Sequence, residues 1–148
     1  MAASNEFSGL RGRAAIVGIG ELRPSKTPEG RTPLGLIAEV AIEALDDAGV
    51  RPADVDGIVV CPAMMQYSML WPSVVAEHLG LAPGYLDLVD LGGASACAMV
   101  ARAATAVATG RATTVLCVSG DTWDPKGMYL KPPPLVSPLR DFTIPYGA

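Results

Sequence analysis

Cys97 is the residue whose type and place most readily suggest chemistry. It stands in "DLGGASACAM", residues 90–99, where a strand-like stretch runs through two glycines into a long helical pattern. A thiolate near a helix N-terminus is stabilised by the free backbone N–H groups and the helix dipole, which suits it to act as a nucleophile. Gly92 and Gly93 add a second possibility. They permit a tight turn and a close backbone approach by a ligand, and the N–H groups that follow favour a developing negative charge. Cys97 itself falls about one turn into a helix that begins near Ala94, where an apolar, buried setting raises a thiol's pKa and lowers its reactivity. Its expected role is therefore structural. Cys117 lies in a strand pattern and Cys61 at a strand end, and both are expected in the core.

Other groups are poorer in partners. His78, the single histidine, follows Glu77 near the end of a short helix, and no nucleophile is evident beside it. Asp87, Asp90 and Asp121 fall within or at the ends of the third and fourth strand patterns. Carboxylates there can act as general acids or bases, or can cap and solvate the chain, and both roles stand. Gly18 and Gly20 in "VGIGELR" form the start of a dinucleotide fingerprint, but Arg23 takes the place of the third glycine and no helix opens there.

The elements that must position these residues alternate. Residues 14–20, "AAIVGIG", read as a first, buried strand. Residues 32–50 carry apolar positions at helical spacing, with Thr32 as cap, Pro33 in the first turn and Gly49 at the end. Strands are expected over 56–61, 85–91 and 112–121, and helices over 71–81 and 94–110. This predicts a layered α/β fold, βαβαβαβ, with a mostly parallel sheet. The 94–110 helix is rich in Ala, Ser and Thr, with Arg102 its charged member before the final turn. It is apolar nearly all round and is expected to be buried on most faces, as a central helix with a close neighbour. Two regions are expected: an α/β unit over 1–121 and a Pro-rich loop over 122–148, where Pro132, Pro133 and Pro134 exclude helix and central strand.

Composition removes several functions. A net charge of −4, no basic run and 5% aromatic residues argue against nucleic acid and against an anionic membrane surface. No apolar run is long enough to span a bilayer, and the N-terminus lacks a signal-peptide core, so a cytoplasmic protein is expected. Three cysteines without CxxC spacing and one histidine fit reduced thiols and no metal site.

Four stretches resemble the N-terminal half of the thiolase superfamily, above all the sterol-carrier-protein-x type thiolases and the lipid-transfer-protein aldolases of steroid side-chain degradation. They are "AAIVGIGE" (14–21), "AEVAIEALDDAGVRPADVDGIVV" (38–60), "GGASACAMVARAATAVATGRATTVLCVSGD" (92–121) and "PYGA" (145–148). The resemblance implies a half-fold that is repeated once, with two central helices packed together. It also implies a second half beyond Ala148 that carries the family's catalytic His and second catalytic Cys. In thiolases the acyl-accepting Cys opens a turn at the start of the central helix, and the alignment puts Gly93 at that position. Gly93 cannot form an acyl-enzyme. The aldolases share a "GGxAxCA" pattern without the nucleophile and cleave a β-hydroxyacyl-CoA by a retro-aldol step.

By this resemblance, Gly92, Gly93, Ala94 and Ser95 face a coenzyme A thioester, which is substrate and not a bound cofactor. Tyrosines later in the chain, a DUF35-type OB-fold partner and a homodimer formed through the sheet edge are implied as well. Lys126, Lys131 and Arg140 could meet phosphates or be solvated loop charges. Within the enzyme reading, retro-aldol cleavage is preferred to Claisen thiolysis because of Gly93. The rival reading is a non-catalytic, truncated thiolase-like subunit that serves structure or dimerisation. The isolated 148 residues are expected to expose an apolar patch. A stand-alone nucleotide-binding domain is opposed by the broken glycine motif and the absence of a P-loop.

Overall fold

The computed structural model describes residues 10–26, 30–66 and 68–122. The Pro-rich 123–148 stretch, with Lys126, Lys131, Arg140 and "PYGA", lies outside the described residues. The boundary expected at 121/122 falls at the edge of the described residues.

Helix α1, Pro33–Ala48, begins and ends where its capping residues dictate. Thr32 Oγ1 accepts the Gly35 N–H at 3.1 Å, and Pro33 occupies the first turn, where its missing N–H costs nothing. Gly49, at φ +64°, turns left-handed and closes the helix, with the Val50 N–H returning to the Leu45 carbonyl at 3.0 Å. The remaining elements are strand β1 (Gly57–Val60), helix α2 (Trp71–His78), strand β2 (Tyr85–Leu88), helix α3 (Ser95–Ala108) and strand β3 (Val115–Val118).

The strands form a parallel sheet in the order β2-β1-β3, with Gly57 opposite both Tyr85 and Val115. All four residues of central β1 are buried. Alternation along the strands sends Ile58, Val60, Leu116 and Val118 to one face, where Ile37 and Ala41 of α1 and Trp71, Val75 and Ala76 of α2 cover them. Val59 and Cys117 point to the other face, under Met99 and Ala103 of α3. The result is a three-layer α/β/α arrangement of the expected class. Asp56 fixes the approach to β3. Its carboxylate accepts the Thr113 and Thr114 N–H groups at 2.9 and 2.8 Å and the Thr113 hydroxyl at 2.8 Å. Burial pushes the Asp56 carboxyl up, but these hydrogen bonds outweigh it and hold it below the ordinary carboxylate range.

One expectation needs correction. Residues 14–20 are extended but join no sheet, and Ile16, Val17 and Ile19 are 70, 64 and 70% exposed. The β-branched residues favour an extended backbone, but a strand also needs a partner ladder, and none forms beside β3. The segment lies instead along α1. A Cβ on Gly18 would stand 2.7 Å from the Ala48 Cβ, and one on Gly20 would stand 2.8 Å from the Ala44 nitrogen. The Ile19 N–H donates to Asp47 Oδ2 at 2.9 Å. Gly18 and Gly20 are thus explained by helix contact and not by a bound dinucleotide.

Helix α3 shows the exposed apolar side expected of these 148 residues taken alone. It buries one stripe, Ser95, Met99, Ala103 and Ala106, while Ala96, Cys97, Val100 and Ala101 are exposed. One sheet face can cover only one side of a helix, whatever its composition. Among the described residues no helix is long and apolar enough to cross a membrane.

Candidate functional site

The three parallel strands deliver their following loops to one end of the sheet, the usual ligand end of an open α/β fold. These loops are residues 61–66 after β1, 89–94 after β2 and 119–122 after β3. They are knitted together by named bonds. The Val89 N–H reaches the Val60 carbonyl at 2.9 Å. The Trp71 indole N–H reaches the Cys61 carbonyl at 3.0 Å. Asp121 accepts the Met64 and Met65 N–H groups at 2.7 and 3.3 Å, and the N–H of Thr122 at 2.8 Å.

At the β2 exit, Gly92–Ala94 make one 3-10 turn that leads into α3. Gly92 adopts φ +56°, a left-handed conformation that favours glycine. A Cβ on Gly93 would meet nothing within 4 Å, so the space over the start of α3 is open. Gly92, Gly93 and Ala94 are exposed. Ser95 differs: it is 4% exposed, and its hydroxyl oxygen accepts the Leu91 N–H at 2.9 Å. Its side chain closes the turn and is already engaged. Of the four residues expected to face a thioester, three present open backbone and the fourth braces them.

Cys97 sits in the first turn of α3 but is exposed, not buried as expected. The helix turns that position away from the sheet, toward the side that has no cover. Cys117 is half-buried against the core, 3.7 Å from the Met99 carbonyl, and burial pushes its thiol up to about 11. Cys61 is half-buried at the β1 exit.

The three carboxylates separate by role. Asp87, on edge strand β2, is bound by Arg102 at 2.9 and 3.1 Å and receives the Tyr85 hydroxyl at 3.2 Å. Burial, then the Asp87 charge, raises the Tyr85 hydroxyl pKa, and the Arg111 guanidinium lies 5.9 Å over its ring. Asp87 thus anchors α3 to the sheet edge. Asp90 is exposed beside the turn. Asp121 joins two of the exit loops, a role that sequence spacing could not display because its partners lie 56 and 57 residues away. His78 and Glu77 are exposed in the last turn of α2.

A cleft of about 420 Å³ lies between residues 20–25, the start of α1 and residues 119–122. It does not include Gly92–Ser95, so the open turn is a surface feature and not a closed pocket. Among the described residues no group of His, Cys, Asp and Glu could hold a metal ion.

No family model matches the chain. Individual relatives do. A steroid side-chain-cleaving aldolase of Thermomonospora curvata is 41% identical over 112 residues, 75% of this chain and 27% of that protein. A 17-hydroxy-3-oxo-4-pregnene-20-carboxyl-CoA lyase of Mycobacterium tuberculosis is 42% identical over 108 residues, 72% of this chain and 27% of its own length. Among solved structures, the Ltp2–ChsH2(DUF35) aldolase superposes with a TM-score of 0.60 and 40% identity, over 70% of this chain and 26% of that one. A monomeric SCP2-thiolase-like protein of Mycobacterium smegmatis superposes with a TM-score of 0.55 and 25% identity, over 69% of this chain and 22% of that one. The chain therefore spans about a quarter of the length of the curated relatives it matches. By sequence and by fold, the chain is thiolase-like and similar to the aldolases among these relatives.

Proposed function

We propose that this chain contributes the start of the central helix to a thiolase-like lyase that breaks a C–C bond in a β-hydroxyacyl-CoA by a retro-aldol step. The observation that carries the reading is Gly93. By the resemblance it stands where a thiolase places its nucleophile, and a Cβ there would meet nothing within 4 Å, so the position offers open space and no reactive side chain. A retro-aldol cleavage needs none. A base removes the β-hydroxyl proton, the Cα–Cβ bond breaks to leave a carbonyl compound, and the electron pair passes to the thioester as an enolate. Protonation of that enolate at carbon gives the shortened acyl-CoA. Charge develops on the thioester oxygen, and backbone N–H groups aimed at it lower the barrier. Gly92–Ala94 and the first turn of α3 would supply them. Coenzyme A is part of the substrate in this scheme, and Gly92–Ser95 hold no titrating side chain for the base.

The lyase and aldolase names of the relatives support the reaction class. The aldolase complex with ChsH2(DUF35) supports an OB-fold partner for this chain too. Edge strand β2, with Leu86 42% and Leu88 37% exposed, supports a homodimer joined through that edge.

The test begins with the intact mass of the protein as its host makes it, together with whatever co-purifies. That preparation is then given a β-hydroxyacyl-CoA alone, or a β-ketoacyl-CoA with free CoA. Retro-aldol activity yields a carbonyl product and a shorter acyl-CoA from the first mixture only. Thiolysis of the second mixture, with the first left intact, would replace this reading by a thiolase.

A further inference from the structure

The loop after β1 is apolar where it has least cover. Met64 is 71% exposed, and Met69 and Leu70 farther along are 82 and 69% exposed. Burial cannot be what fixes Met64. Its backbone is held by Asp121, which takes the Met64 N–H at 2.7 Å and the Met65 N–H at 3.3 Å while its other near bond, at 2.8 Å, secures Thr122. One carboxylate thus ties the exit of β3 to the exit of central β1, and charge-assisted bonds of this kind are short and strong. The Trp71–Cys61 bond holds the other end of the same loop. The loop leaves the sheet at the end where the Gly92–Ala94 turn lies open, one strand away. An unbranched thioether side chain held there by its backbone but free at its tip suits a large, rigid apolar ligand, because it can adapt to the ligand's contour.

We infer that Asp121 is a positioning residue, which clasps the β1 exit loop so that Met64 forms an apolar wall for the acyl part of the substrate. The inference rests on the proposed acyl-CoA site and names what sets its preference for bulk. Met64 touches the acyl group in this arrangement, and Asp121 acts only through the loop.

The experiment uses the protein as its host makes it and has two readouts. In the first, amide hydrogen exchange at Met64 and Met65 is compared between the wild type and Asp121→Ala, with Asp121→Asn in its place if the alanine variant does not fold. Exchange at these two amides should rise at least about tenfold, as expected for loss of a local closing bond, while α1 and α3 amides hold their rates. Unchanged exchange at Met64 would remove the clasp. In the second, equilibrium binding of a polycyclic acyl-CoA and of acetyl-CoA is measured for the wild type, Met64→Ser and Asp121→Asn. Both variants should lose about five- to tenfold in the ratio of the two affinities, in the range of lost contact in an apolar pocket. An unchanged ratio, or no binding of the polycyclic acyl-CoA by the wild type, would overturn the wall. Binding with the expected ratio but no retro-aldol turnover would instead fault the reaction and leave the wall standing.

Discussion

The two faces of the sheet are finished to different degrees. On one, α1 and α2 enclose eleven buried core residues among those described, including Ile37, Trp71 and Val75 at 1% exposure or less. On the other, α3 alone closes over four: Val59, Val89, Met99 and Ala103. α1 and α3 are close in length, at 16 and 14 residues, so the difference is not one of helix size. It lies in neighbours. α1 has α2 at its side and residues 14–20 along its back, while the outer side of α3, with Ala96, Cys97, Val100 and Ala101, meets nothing described. A helix made of small residues is suited to close helix contact, and on this face that contact is still open.

The comparison can be tested from the strongest expected effect downward. Trp71→Ala should be the most damaging change, because it empties a large site on the two-helix face and leaves the Cys61 carbonyl without its indole donor. Losses for such truncations run to about 3–5 kcal/mol, readable as a fall in the denaturation midpoint. A loss no greater than that of Met99→Ala on the α3 face would erase the distinction.

Glycine substitutions separate the faces next. Gly18→Ala forces a methyl group into the backbone of α1 and should cost about 1–3 kcal/mol by thermal melting. Gly93→Ala, with open space around it, should stay within about 0.5 kcal/mol in stability. If the proposed site is correct, its effect falls on turnover instead. Equal destabilisation by the two would show that the turn at α3 is as tightly covered as the back of α1.

The smallest effect concerns thiols. Cys97 should react with a maleimide first, and Cys97→Ala should leave stability nearly unchanged, because the side chain is exposed. Cys117, raised to about 11, is ionised only to about one part in a thousand at pH 8 and should label slowly. Protection of Cys97 in the protein as its host makes it, with reactivity only after unfolding, would mark the outer side of α3 as covered there.

What could be read from the sequence was whatever is settled locally. Thr32, Pro33 and Gly49 bound α1 because each acts on backbone groups a few residues away. The two glycines before α3 likewise announced a turn, and the turn is there. Residues 14–20 looked like a strand because Ile16, Val17 and Ile19 favour extended backbone, yet a strand is a relation between two segments. The same limit applies to burial of α3, which depends on what lies opposite. Ser95 was placed at the thioester by the resemblance alone, and nothing local in the sequence announced that its hydroxyl would accept the Leu91 N–H. Asp121 and Asp56 were beyond local reading altogether, since their partners lie more than fifty residues away.

Those long spans set an order of events during synthesis. β1 is the middle strand of the sheet, yet its neighbour β3 leaves the ribosome long after it, and the Asp56–Thr114 bond that starts their pairing joins residues 58 apart. At about 5–20 residues per second, the nascent chain carries a buried-type strand, Gly57–Val60, with that edge unfilled for roughly 3–12 s. The most fully buried of the described strands is thus the one that waits, and a chaperone that shields extended apolar segments has its natural window there.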